Sequence, residues 1–526
     1  ADAKLKLSGS KLQFAQDVSI AGVVEVVGDT VFVLDEHTLT FTNGSKLIVD
    51  AATLWYDSKG VDFYTENKDR IELKNGGRIK QLGSGSSGVS VSSALHLVND
   101  YHVDASNKFV ATFSANDASY TIDAGGHALT FAHAASEMMV VGDEHTGTQL
   151  TLENMVIQNF APRYVTVNAN SSLVYGDGTR LVLSKDEGGT FAMTTNDAVV
   201  LDGKGYCLDM ANGVITVAAG STLTLKNVHL QNMATGKIVL SDATSKVIFE
   251  NVVFEQSGTF VWSQGSYEVS KQLTLLGGHT FSYTSDQVST IRANSTLYAE
   301  RESTLVYAPA SRGKDKWAFA AATSQLSLHD ATLTVQDKGM TVATGRIEID
   351  GQSSVTSSAT LAADACNLTT GVMHIKRGAE LSLTAGFMKC AANSLTFGSQ
   401  DARAVIASGA KLVVADDASL SVAGTLEQAA AGGIVGGNSA SRVSFEKGIF
   451  VNQGIAAQLT CDYNPTTSTI LLEGNERAVL DAGVHVAGIT ISGSGNTVLG
   501  QPNIESDIVL ADADAAVTLG LQSELD

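Results

Sequence analysis

The stretch Leu150–Asn159, LTLENMVIQN, returns as LTLKNVHLQN at Leu223–Asn232 and as VIFENVVFEQ at Val247–Gln256. A looser copy, LSLHDATLTV, runs from Leu326 to Val335, with Asp330 at the asparagine position. Each copy reads apolar-x-apolar, one turn-forming residue, then apolar-x-apolar again. Such alternation puts one row of apolar side chains on a single face of a strand. A strand that short cannot bury its row alone, so the chain must pack copies on copies.

A second phrase accompanies the first. Its clearest form is ITVAAGSTLTL at Ile215–Leu225, with relatives VTVNANSSLVY at Val165–Tyr175, TIRANSTLYA at Thr290–Ala299 and HIKRGAELSL at His374–Leu383. An apolar strand residue is followed by a Gly, Asn or small-residue turn, and both Gly and Asn tolerate the positive φ that tight turns demand. Taking the first apolar residue of each phrase as a marker gives Leu129, Leu150, Leu173, a weaker one near Val199, Leu223, Val247, Leu273, Leu297, Leu326 and Ile347. The mean step between neighbouring markers is about 24 residues, within the range of repeat architectures. Asn227 and Asn251 lie one such step apart, and Asn154 stands three steps before Asn227. A leucine-rich repeat would place two residues between its last leucine and the asparagine, and a propeller blade needs about 40 residues.

The fold these phrases predict is all-β: a parallel β-helix, or β-solenoid, with about 24 residues per coil. Apolar-x-apolar fills the interior of each coil. Asn154, Asn227, Asn251 and Asp330 then turn the corner, where they are expected to stack as a polar ladder. Composition agrees, with 50 glycines, 4 prolines and only 17% charged residues. The regular array covers residues 121–430. Residues 1–120 read as a cap with irregular first coils, and 431–526 as a continuation without a recognisable cap.

A net charge of −21 argues against a phosphate-binding surface and hence against nucleic acid. No apolar run is long enough to span a membrane as a helix. The chain opens on ADAKLKLSGS rather than on methionine, which suggests a processed, secreted protein. Four cysteines, Cys207, Cys366, Cys390 and Cys461, are too few for a disulfide scaffold. Cys366 and Cys390 are separated by one coil length, so a disulfide between them is allowed.

LTLENMVIQN and LTLKNVHLQN resemble coils of the right-handed, pectin-lyase-like β-helix superfamily. The resemblance is good over Ile122–Val355, looser over Thr384–Val422, and poor elsewhere. It implies a polysaccharide lyase or hydrolase, a tailspike, or a surface adhesin or fibre, and fold alone does not choose among them. The hydrolase signatures of that superfamily are not met. RIK at Arg78–Lys80 precedes everything else, the single DD at Asp416–Asp417 falls in a repeat turn, and the GGH at Gly125–His127 and Gly277–His279 begin ordinary strand phrases.

Other candidates are weak. His127, His229, His279 and His329 show no metal-ligand spacing. Turns such as YGDGTR at Tyr175–Arg180 and VGDEHTG at Val141–Gly147 offer oxygen ligands for Ca²⁺, though ordinary Asx turns explain them as well. GSGSSG at Gly83–Gly88 reads as a loop. Trp55, Trp262 and Trp317 are spread along the chain, which weighs against a long sugar-binding groove. The expectation is a secreted or cell-surface structural β-solenoid, with no catalytic or cofactor site. It would form a fibre or sheath as a homo-oligomer, or bind a host-surface or glycan receptor as an adhesin. A glycan-active β-helix enzyme or a tailspike-like glycan binder is the alternative.

Overall fold

The computed structural model describes residues 4–58 apart from 36 and 43, short strands between 70 and 111, then 118–132, 139–142, 148–168, 171–309, 316–336, 339–357, 366–399 and 401–429. Beyond these it describes 433–436, 441–445, 449–452, short segments between 469 and 504, and 508–519. The chain is an all-β parallel solenoid with about 23 residues between stacked parallel strands and about 1% helix. It divides into two compact units, one of residues 1–232 and 236–248, the other of residues 233–235 and 249–526.

In the first unit one ladder follows the chain from Lys4–Leu7 through Val23–Val26, Lys46–Asp50 and Ile71–Lys74 to Thr148–Glu153, Gly213–Val217 and Ile238–Leu240. The segment expected to be a cap and irregular first coils thus already contributes parallel strands, such as Lys4–Leu7 against Val23–Val26. A second ladder stacks Val156–Gln158, Arg180–Val182, Ala198–Asp202 and Thr222–Met233. In register, Ile157 meets Leu181, Leu181 meets Leu201, and Leu201 meets Leu225. All four point inward and are at most 1% exposed.

That register corrects two of the marker assignments. Leu129 pairs with Ile157, and Leu150 pairs with Leu173 in the other ladder. Leu223 pairs with Val199, the marker before it, as the spacing predicts. The two best copies of the phrase therefore begin on different sheets. Both halves of the phrase are apolar-x-apolar, so sequence similarity alone cannot say which half sits on which sheet.

The second unit repeats the arrangement. Leu273, Leu297, Leu326 and Ile347 stack in one column, as their spacing predicts. A second ladder runs Phe260–Trp262, Thr280–Tyr283, Thr304–Tyr307, Thr332–Val335 and Gln352–Ser357. Here the core is aromatic. Phe260 stacks on Phe281 at 5.6 Å with an interplanar angle of 7°, and Tyr283 on Tyr307 at 6.2 Å with 14°. Trp262 and Trp317, far apart in sequence, both enter this core, where each is at most 3% exposed. Neither is available to stack on a sugar.

Candidate functional site

The corner residues adopt the backbone their chemistry suggests. Asn154, Asn227, Asn251 and Asp330 have φ of 48°, 46°, 58° and 49°. The left-handed region costs most side chains about 1–2 kcal/mol, and Asn and Asp least. In the first unit Asn154 Nδ2 donates to Asp123 Oδ1 of the preceding coil at 3.1 Å. The following coil brings Gly178 so close that a Cβ there would collide with Asn154 Oδ1. In the second unit Asp330 Oδ1 accepts the backbone N–H of Gln352 at 2.7 Å, beside Gly351, which has φ of 59°. These corner groups bond to carboxylate or backbone of the neighbouring coil, and the Asn154 bond is to an aspartate rather than to another asparagine.

Sequence reasoning missed a second corner. Asn159 and Asn232, which end the two best phrase copies, also have positive φ, at 55° and 57°. Asn159 Nδ2 donates to Phe131 O at 2.9 Å and Asn232 Nδ2 to Asp209 Oδ1 at 2.7 Å. The signal was present but fainter, since the final position is Asn in two of the four copies, whereas the middle one is Asn or Asp in all four.

Cys366 and Cys390 do not stack as one coil length suggested. Cys366 pairs with Met388, and Cys390 pairs with Leu368. The coil between them is shorter than the mean step, so the thiols sit two positions out of register. Both are free and fully buried. Burial pushes each thiol up to about 12. Cys461 lies outside the described residues.

A polar grouping covers an outward face of the second unit, on strands Thr296–Glu300, Gln325–His329, Arg346–Asp350 and Val372–Ile375. Tyr298, Ser327, Glu348 and His374 form one column across it, and Glu300, His329 and Asp350 a second. Lys376 Nζ reaches Asp350 Oδ2 at 3.1 Å and Glu348 Oε2 at 3.8 Å, and Arg346 reaches Glu348 at 3.8 Å. His329 lies 3.5 Å from Asp350 and 3.8 Å from Asp330, under the ring of Tyr298. Burial raises the Asp350 carboxyl, but the Lys376 hydrogen bond and charge outweigh it and hold it below the usual range. Burial, with Arg346 and Lys376 nearby, lowers His374.

Similar pairs link coil to coil elsewhere. Arg180 and Lys204 share Asp202, and Arg163 binds Glu187. Arg292 binds Glu268, and Arg403 bridges Glu380 and Glu427. Asp202 has a side chain only 1% exposed. Burial raises its carboxyl, but the Arg180 hydrogen bond and the two cations bring it below the ordinary value.

Among the described residues no group of three or more His, Cys, Asp or Glu is placed to hold a metal ion. Of the two turns considered for Ca²⁺, residues 143–147 lie outside the described residues. In the other, the Asp177 carbonyl accepts the Asn154 N–H at 2.7 Å, an ordinary coil-to-coil bond. Among the described residues no helix is long and apolar enough to cross a membrane. No family model matches the chain, and no curated protein matches it either.

Proposed function

We propose that this chain is a secreted or cell-surface structural β-solenoid of the pectin-lyase-like type, which assembles into a fibre or sheath or is displayed as an adhesin. The carrying observation is where its charges go. Arg180 to Asp202, Arg163 to Glu187, Arg292 to Glu268 and Arg403 to Glu380 and Glu427 each join neighbouring coils. Side chains engaged in coil-to-coil ladders stiffen the stack and leave few groups to converge on a reacting bond. An acidic excess of −21 keeps such surfaces from clumping while permitting ordered association.

Negative-stain microscopy with light scattering on the purified chain tests this. Filaments or concentration-dependent ordered association support the fibre reading. A monomer across a wide concentration range that also binds no cell surface would remove both forms of it.

One observation favours the glycan-active alternative. Glu348 and Asp350 are two residues apart on the outward side of one strand, beside His329 and Tyr298. Paired carboxylates beside an aromatic ring are the parts a glycosidase uses. Reducing-end release from a panel of acidic and neutral polysaccharides, abolished by Glu348→Gln, would move the reading to this alternative.

A further inference from the structure

We propose that Cys207 and His229 form a thiol–disulfide exchange site on the first unit, one that takes a disulfide as its substrate. Strand Cys207–Asp209 pairs with Thr222–Met233 so that Cys207 lies directly opposite His229. Cys207 Sγ is 3.6 Å from His229 Nδ1, within reach of a hydrogen bond that involves sulfur. Both side chains are half-buried on the outward side of the sheet, while the next pair in register, Leu208 and Leu230, points into the core. Cys207 is itself partly exposed, and the neighbouring Tyr206 is 39% exposed.

A thiol becomes a nucleophile only as its thiolate, and an imidazole in contact is a common means of producing one. The tautomer with hydrogen on Nε2 leaves Nδ1 as the acceptor of the thiol proton. Two aspartates adjoin Cys207 in the backbone. Asp186 Oδ1 accepts the Cys207 backbone N–H at 2.8 Å. Asp209 Oδ1 accepts from Ala211 N at 2.8 Å and from Asn232 Nδ2 at 2.7 Å. Both carboxylates are thus engaged by backbone or amide donors.

The exchange step balances without a further reagent. The Cys207 proton passes to His229 Nδ1, and the thiolate attacks one sulfur of the incoming disulfide. A new S–S bond forms at Cys207 as the substrate's S–S bond breaks, and the leaving thiolate takes the proton back from the imidazolium. Cys207 is oxidised and the substrate disulfide is reduced. The other two described cysteines cannot compete. Cys366 and Cys390 are fully buried among apolar neighbours, and burial pushes their thiols up to about 12.

The test is a rate of modification by 5,5′-dithiobis(2-nitrobenzoate) and by oxidised glutathione, with each site assigned by peptide mapping so that Cys461 is read separately. In the folded chain Cys207 is expected to react at least tenfold faster than Cys366 and Cys390, and His229→Gln to slow it at least tenfold at an unchanged melting midpoint. Should His229→Gln fail to fold, the wild-type chain alone decides. Its Cys207 is expected to react at least as fast folded as in guanidinium, where no imidazole is held beside it. A folded Cys207 that reacts more than tenfold slower than the unfolded one, or an unchanged rate in folded His229→Gln, overturns the proposal.

Discussion

The column Ile157–Leu181–Leu201–Leu225 in the first unit and the column Trp262–Tyr283–Tyr307 in the second do the same job with different parts. The aliphatic column repeats one shape of side chain per coil, brings no polar atom inside, and needs nothing from its surroundings. The aromatic column fills its coils with fewer, larger side chains, and around it rings meet edge to face, as Trp262 and Tyr267 do at 5.2 Å. It also brings hydrogen-bonding groups into the core. Tyr283 Oη finds the Gln287 carbonyl, and Tyr307 Oη accepts the Lys316 N–H at 2.9 Å. Tyr267 Oη, Trp262 Nε1 and Trp317 Nε1 are buried with no partner. An aromatic coil gains buried area per residue and leaves donors unsatisfied in return.

That contrast can be broken most forcefully by truncation. Phe281→Ala removes a ring stacked on Phe260 and edge-on to Tyr267. It is expected to cost about 4 kcal/mol, against about 3 kcal/mol for Leu201→Ala in the aliphatic column. Denaturant midpoints of the two variants check this, and a smaller loss for Phe281→Ala would show the aromatic coils to be the looser ones.

The corners should behave alike in both regions, since each demands a left-handed residue whatever the core contains. Asn154→Leu and Asn251→Leu are each expected to cost about 1–2 kcal/mol, and the matching glycine variants clearly less. Thermal melts of the four proteins decide it. If leucine and glycine cost the same at either corner, lost side-chain bonding outweighs backbone strain there.

Tyrosine hydroxyls sharpen the comparison within the aromatic core itself. Removing an unpartnered buried hydroxyl with Tyr267→Phe should leave stability unchanged or raise it by about 1 kcal/mol, whereas Tyr283→Phe should lower it by about 1 kcal/mol. A loss for Tyr283→Phe with none for Tyr267→Phe in paired unfolding curves is the expected result.

The smallest effect is electrostatic. The folded-state value of Asp202 lies below its unfolded value near 4, so its contribution is fully present above that value and fades as pH falls through the folded one. Asp202→Asn should therefore flatten the loss of stability below about pH 4, by ~1 kcal/mol or less because Arg180 and Lys204 are exposed. A pH series of unfolding midpoints for the two proteins measures it.

Much of this was legible in the sequence, for a physical reason. A solenoid asks each coil for the same inward rows and the same corner, so the alternation at Leu273, Leu297, Leu326 and Ile347 and the corner residues Asn154, Asn227, Asn251 and Asp330 are written repeatedly. Column identity was not legible, because strands on different sheets obey the same alternation, as Leu150 and Leu223 illustrate. Register over a single coil was not legible either. One coil slightly shorter than the mean is enough to separate Cys366 from Cys390. The outward face around Tyr298, His329, Glu348, Asp350 and Lys376 was invisible, since its members come from four coils and no one of them forms a motif.

The central claim is the coil-by-coil parallel register, and a cross-link tests it most directly. Val306 lies opposite Thr334 in the next coil, and Thr334 lies opposite Thr356 in the one after. Adjacent coils are about 4.8 Å apart, within the Cα spacing a disulfide accepts, while two coils exceed it. In a chain with its own cysteines replaced by serine, oxidation should join Val306→Cys to Thr334→Cys and leave Val306→Cys with Thr356→Cys unlinked. A bond in the second pair, or none in the first, would contradict the account.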